Sequence, residues 1–422
     1  MLKFLTEFLS QPAFIIGLIA LIGLIALRKS YSDVIKGTLK TVFGFIILQQ
    51  GANIIVASLV PFSQMFESAF NLTGVIAEDN AIAAAVQTIL GTETSLILVF
   101  GFLLNVILAR VTKWKYIFLT GHMMFSFAAT MAILFHQMGF SSLQIIIFGS
   151  LIQGVSSVVF PALAQPFVRK VTGNDNVAFG FWGSSLIWFS AWIGSKFGDV
   201  TKSAEEIKVS PKIDFLKEMS ILMGIVMSLI YIITAFFVDS ALMMEISGGQ
   251  NYILFAILQA FTFVAGILIL LQGVRMFLGE LVPAFKGISE RVVPGSIPAV
   301  DVPVFYAFGP QSTTIGFIFA VIGGSIATLV TTMMPVVVLP SVIGLFFMGG
   351  AAGVFGNSMG GRRGAIISGL ILGFLFQMIV AVAYPLLNIT GYGIEGLWFA
   401  STDAIIFIII VRLIGLLFGI TI

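Results

Sequence analysis

Asp301 lies in Pro294–Phe305, P-G-S-I-P-A-V-D-V-P-V-F, where apolar residues surround a single carboxylate. Pro298 and Pro303 flank it. Prolines remove backbone donors and stop helices, so this stretch is predicted to be unwound chain or the end of a half-helix at membrane depth. Such ends leave N–H and C=O groups free for a polar solute. A carboxylate there accepts hydrogen bonds from hydroxyls, and a desolvated one can also hold a proton. Its bland use would be pairing with an arginine. Glu78, Asp79 and Asn80 form a second polar cluster, which in the bland case is a solvated loop. His122 stands in L-T-G-H-M-M-F near the start of an apolar run. Imidazole both donates and accepts, which suits a sugar hydroxyl, and Gly121 lets backbone approach a ligand closely.

Catalysis and metal binding find little support. The histidines are His122 and His136, and cysteine is absent. That leaves no thiolate, no histidine metal cluster and no nucleophile–base–acid set. An intramembrane enzyme is therefore disfavoured, and no cofactor is expected. His136 follows a long apolar run at a helix end and is predicted to be interfacial. The stretch Gly349–Gly364, G-G-A-A-G-V-F-G-N-S-M-G-G-R-R-G, lacks the G-K-S/T ending of a phosphate loop. Small residues at that spacing favour tight helix packing instead, with Asn357 and Ser358 left as cavity candidates.

The elements that must position these residues are membrane helices. The chain has 422 residues, 59% of them hydrophobic and 9% charged, with mean hydropathy +1.11. A soluble surface needs more charge than this, and apolar runs of membrane-spanning length recur throughout. The expected class is an all-α polytopic membrane protein lying in the lipid bilayer. No cleavable signal is recognised at the start, and a net charge of +2 suggests no nucleic-acid partner.

Lysine and arginine mark cytoplasmic loops. They predict spans near 12–27, 41–60, 94–110, 116–136 and 142–166, then a glycine-broken re-entrant hairpin at about 177–195. The polar run Lys196–Glu218 is expected to be a cytoplasmic join. Spans near 219–239, 252–274, 312–333, 337–356 and 365–385 follow, then a second re-entrant stretch at about 387–402 and a last span near 403–420. The count is 11. The units are residues 1–196 (first membrane repeat), 197–218 (linker), 219–402 (second repeat) and 403–422 (final helix).

The halves echo each other. Gly44–Pro61 and Gly266–Pro283 align without a gap at offset 222, with eight of 18 positions identical, among them Gly51/Gly273, Leu48/Leu270 and Pro61/Pro283. Beyond them the match resumes at offset 221, with Gly74/Gly295 and Ile76/Ile297, which sets Asn80 opposite Asp301. Gly91–Ser95 against Gly309–Thr313, and Gly149–Gly154 against Ser368–Gly373, are weaker echoes. The charge rule runs the first copy inside to outside and the second outside to inside, so the repeats are expected to be inverted. A costly polar residue at matching places in two such units is how many transporters build a central site.

Gln272–Asp301, with L-R-K-S at Leu27–Ser30, I-K-G-T-L-K-T at Ile35–Thr41 and the L-T-G-H-M-M-F stretch, resembles the ascorbate-specific enzyme IIC permeases of the bacterial phosphotransferase system. The similarity spans almost the whole chain. It implies a homodimer of 11-helix subunits in the bacterial cytoplasmic (inner) membrane, each with a dimer-forming part and a solute-carrying core. It also implies partner chains that carry the phosphoryl group, a IIB with a phosphocysteine and a IIA with a phosphohistidine, so that this chain is a transport subunit rather than an enzyme. The family's ligand positions fall on Asp301, His122, Asp79 and Asn80. Its glutamine four residues after the histidine is Ser126 here. Its His-Gln pair, aligned through F-x-x-W-I at Phe189–Ile193, falls on Ser185 and Leu186. With these three changes the substrate is open among ascorbate, another small sugar acid, a pentose and a polyol. The rival transport class is a proton-coupled symporter with Asp301 as proton carrier.

Overall fold

Long apolar runs dictate helices, since a chain in hydrocarbon must satisfy its own backbone. In the computed structural model, residues 12–206, 215, 218–389, 391–394 and 396–417 are described. Much of the 197–218 linker, Lys212 included, lies outside the described residues, as do both chain ends. The first half is α1 (Pro12–Ala26), α2 (Tyr31–Phe70), β1 (Gly74–Ala77), α3 (Asp79–Val111), β2 (Tyr116–Phe118), α4 (Gly121–Gln137), α5 (Ser142–Thr172), β3 (Ala178–Phe179) and α6 (Ser184–Ser195). Next come α7 (Met219–Phe237), a short α8 (Ser240–Ser247), α9 (Tyr252–Val292), β4 (Ile297–Val300) and a single turn α10 (Pro303–Tyr306). The chain continues through α11 (Pro310–Thr331), β5 (Val337–Leu339), α12 (Val342–Ala383), β6 (Leu397–Trp398) and α13 (Thr402–Leu417). Six described helices are long and apolar enough to cross a membrane.

Several expected boundaries move for identifiable reasons. The span foreseen at 94–110 starts at Asp79 and breaks at Leu90 (φ −120°, ψ 31°). Its first arm carries Asn80, Gln87 and Thr88, whose polarity hides it from a search for apolar runs. The two spans foreseen at 337–356 and 365–385 are the arms of α12, broken at Gly360 and Gly361. Gly361 has φ +58°, which a side chain would resist, and a Cβ there would lie 2.1 Å from the Asp199 carbonyl oxygen. The stretches expected to be re-entrant contain short strands: β3 leads to α6 in the first, and β6 in the second precedes α13, the span foreseen at 403–420. The glycine-rich run does pack closely, because a Cβ on Gly353 would sit 2.0 Å from the Ser312 carbonyl oxygen on α11.

The helices form two bodies. In one, α9 lies along α2, with α1 and α7 beside them. Their crossing is reciprocal: a Cβ on Gly51 would lie 2.4 Å from Leu270 N, and one on Gly273 would lie 2.3 Å from Leu48 N. The Tyr231 hydroxyl on α7 donates to the Ser58 carbonyl of α2 at 3.0 Å. In the other body α11 packs along α12, α12 on α6, and α3 on α4 and α5. Contacts between the bodies are sparser.

Two three-stranded parallel sheets sit in the second body, in the orders β5-β1-β6 and β2-β4-β3. The central strand of each comes from one half of the chain and both of its neighbours from the other. The ladders pair Gly74 with Val337 and Tyr116 with Ile297. If β5 corresponds to β2 at offset 221, then Gly74 corresponds to Ile297 at offset 223. The geometric partner of Asp301 is therefore Glu78, two residues before the Asn80 that the sequence alignment set opposite it. Side chains hold the strand backbones, as burial requires. Asn105 of α3 donates to the Tyr116 carbonyl at 3.0 Å and accepts from Phe118 N at 2.9 Å. Thr331 of α11 accepts from Val338 N at 3.1 Å.

Candidate functional site

All six strands end at one place. A cavity of about 220 Å³ is lined by the residues that follow them: Glu78–Asn80 after β1, His122 and Met123 after β2, Phe181 after β3, Asp301 and Pro303 after β4, Ile343 and Gly344 after β5, and Ala400 and Ser401 after β6. Helices α3, α4 and α12 start beside it. Leu271 and Arg275 of α9 complete the lining from the other body, with Phe347 and Met348 of α12.

The carboxylates are not alike. Glu78 is the N-cap of α3: its Oε2 accepts from Ala81 N at 2.6 Å and its Oε1 from Asn80 Nδ2 at 3.1 Å. Asp79 accepts from Ala400 N at 2.7 Å and from the Ser401 hydroxyl, which ties α3 to the chain leaving β6. Both are buried. Among the described residues the Asp301 carboxylate accepts a hydrogen bond only from the next residue, Val302 N, through Oδ1 at 2.8 Å. Pro303 follows and has no N–H to offer, so Oδ2 keeps its lone pairs. That oxygen stands 3.7 Å from His122 Nε2, and both side chains are partly exposed. The pair presents a donor and acceptors to the cavity at a spacing a hydroxyl can bridge.

Of the residues singled out in the sequence, Asp301, His122, Asp79 and Asn80 line this cavity, and Glu78 lines it in its capping role. Ser126 is buried one turn along α4, and its hydroxyl has no partner among the described residues. Ser185 faces elsewhere: with Ser184 it donates to Asp403, a buried carboxylate at the start of α13. That bond joins the tips of α6 and α13 outside the cavity lining. His136 is remote, with Nδ1 2.9 Å from the Tyr392 hydroxyl at the far end of α4. Asn357 accepts from Ala204 N at 2.7 Å and so fastens the linker to α12. Arg275, Ser401 and Asp403 were missed. Arg275 reads from sequence as a cytoplasmic flanking charge, and the two others sit in a run whose partners are more than 200 residues away. Trp182 anchors the wall, with Nε1 donating to the Met123 carbonyl at 2.9 Å and its ring stacked on Phe118 at 4.4 Å. Among the described residues no three His, Asp or Glu side chains gather as a metal-binding group.

The sequence family described as the PTS system sugar-specific permease component, EIIC-GAT, matches residues 7–403. The chain belongs to that family. A curated relative, the ascorbate-specific PTS system EIIC component of Mycoplasma pneumoniae, is 32% identical over 437 aligned residues, covering 90% of this chain. The chain spans 66% of that relative's length, just under two thirds. A sugar-permease family, six apolar helices of membrane-crossing length and a largely apolar cavity that gathers charged side chains are mutually consistent.

Proposed function

We propose that this chain is the IIC permease subunit of a sugar phosphotransferase system and carries ascorbate or a related small sugar acid, pentose or polyol across the bacterial inner membrane. A separate IIB subunit, itself charged by IIA, phosphorylates the solute at the inner face and so prevents its return. The observation that carries this proposal is the convergence of six strand ends on a cavity where Asp301 keeps an uncommitted carboxylate oxygen beside His122. Its volume lies below the roughly 300–1,000 Å³ typical of drug-sized ligands and suits a small solute. Asp301 and His122 bond solute hydroxyls, Asp79 and Asn80 border it, and Ser126 and Ser185 support the surrounding helices.

The architecture assigned with it is 11 spans in two inverted repeats, residues 1–196 and 219–402, joined by the 197–218 linker and closed by residues 403–422, in a homodimer. Reciprocal contacts support the repeat. Under a two-fold axis Gly51 against Leu270 demands Gly273 against Leu48, and both occur. The two bodies, packed more loosely on each other than within themselves, support movement of the sheet-bearing body against the α2–α9 body.

The test is solute accumulation in vesicles, with and without IIB, in the presence of an uncoupler and phosphoenolpyruvate. Uptake should require IIB, survive the uncoupler and yield only the phosphate ester inside. Uncoupler-sensitive accumulation of unmodified solute without IIB would replace this function with proton-coupled symport through Asp301.

A further inference from the structure

We propose that Arg275 determines specificity at this cavity: it binds the anionic group of a sugar acid and so discriminates against a neutral polyol of the same size. The proposal rests on the permease function above and assigns the solute's charge and the residue that reads it. Arg275 lines the cavity from α9, one turn beyond Leu271. It stands two residues past the apolar span Tyr252–Gly273 and is exposed, so it forms the cavity's rim, where a cation can meet an entering anion. The acidic groups nearby are engaged otherwise. Glu78 is spent on the α3 cap and Asn80. Asp79 is spent on Ala400 and Ser401. Asp301 faces His122 and its own backbone. Among the described residues Arg275 makes no ion pair and no hydrogen bond, although three carboxylates share its cavity. Its five donors are therefore available in a fork that matches a carboxylate or a delocalised enolate.

The cavity is thus polarised. Its sheet-bearing wall offers acceptors and an imidazole to hydroxyls, and its α9 wall offers a cation. A solute with hydroxyls at one end and a negative group at the other satisfies both walls. A neutral polyol satisfies only the first and leaves Arg275 unpaired. Arg275 also belongs to the α2–α9 body, whereas the hydroxyl-binding residues follow strands of the other body. The anionic group would be held across the junction between the bodies.

Calorimetric binding to the purified full-length protein tests this, with ascorbate and gluconate as anionic probes and sorbitol as the neutral partner of gluconate. Arg275→Gln should weaken the two anions roughly tenfold or more, the scale of a hydrogen bond to a charged group, and leave sorbitol unchanged. Arg275→Lys should restore most of the loss at low salt, and wild-type affinity for the anions should fall as salt rises. Equal weakening of acid and polyol in both variants would make Arg275 a structural residue and overturn the proposal. So would anion binding indifferent to Arg275→Gln, and that result would leave the permease function standing. Binding of no sugar-like probe by the wild-type protein would remove both.

Discussion

The reciprocal crossing of α2 and α9 can be tested by adding one methyl group to either side. A Cβ on Gly51 would meet Leu270 at 2.4 Å from N, 2.5 Å from Cα and 2.7 Å from Cβ. One on Gly273 would meet Leu48 at 2.3 Å from N and 2.6 Å from Cα, and the Gly44 carbonyl oxygen at 2.8 Å. Comfortable separations between such atoms are about 3.5–4.0 Å, so the helices must part by roughly 1 Å. Backbone cannot swing aside as a side chain does, and overpacking of this kind costs about 1–3 kcal/mol. Gly51→Ala and Gly273→Ala should therefore each lower stability by a similar amount. The double variant should cost less than their sum, because the first methyl has already separated the helices that the second would push on. Gly279→Ala on the same α9 is the control: among the described residues nothing lies within 4 Å of where its Cβ would be. Replacing a helical glycine there should be neutral or stabilising by up to about 1 kcal/mol. The assay is the loss of monodisperse protein with temperature in detergent. Gly51→Ala as stable as Gly279→Ala would refute the contact, and a strongly unequal pair of losses would refute the two-fold relation.

Asp301→Asn keeps the shape but removes charge and acceptor capacity, and it should weaken solute binding by about 1.5–3 kcal/mol in calorimetry, with His122→Ala also weakening it; unchanged affinity would leave Asp301 a structural carboxylate. A cysteine at Lys202, whose side chain is 62% exposed, should react with an impermeant maleimide only from the cytoplasmic side, and since the chain has no native cysteine, labelling from outside would overturn the inverted topology.

What was legible in the sequence was what periodicity, charge and internal repetition encode. Asp301 stood out because a carboxylate between prolines in apolar sequence has few bland explanations. The α2 and α9 match was visible because close helix crossing demands glycine at the same place in both copies. The strands were not legible. Gly74–Ala77 and Val337–Leu339 are three or four apolar residues each, too short to show a period, and their pairing joins residues more than 250 positions apart. Without the ladder, the alignment set Asn80 opposite Asp301, whereas matching β5 to β2 sets Glu78 there. Arg275 was hidden for a different reason. A basic residue at the end of an apolar run ordinarily marks the membrane boundary, and only the continuation of α9 to Val292 shows that this one lies inside a helix.

The exchange of strands between halves explains why the cavity needs both halves of the chain. In each sheet the central strand is paired on both sides by strands of the other half. Alone, either half would leave strand N–H and C=O groups unsatisfied in a bilayer, at several kcal/mol apiece, so the halves must close on each other as they fold. Closure brings two carboxylates to the cavity, Glu78 after β1 and Asp301 after β4. Their uses differ. Glu78 finds Ala81 N three residues on and is consumed as a cap. Asp301 meets Pro303, caps no long helix and retains an oxygen for an outside partner. Pro303 thus leaves free at Asp301 an oxygen of the kind that Glu78 spends on a cap, which is what the proposed solute-binding role of Asp301 needs.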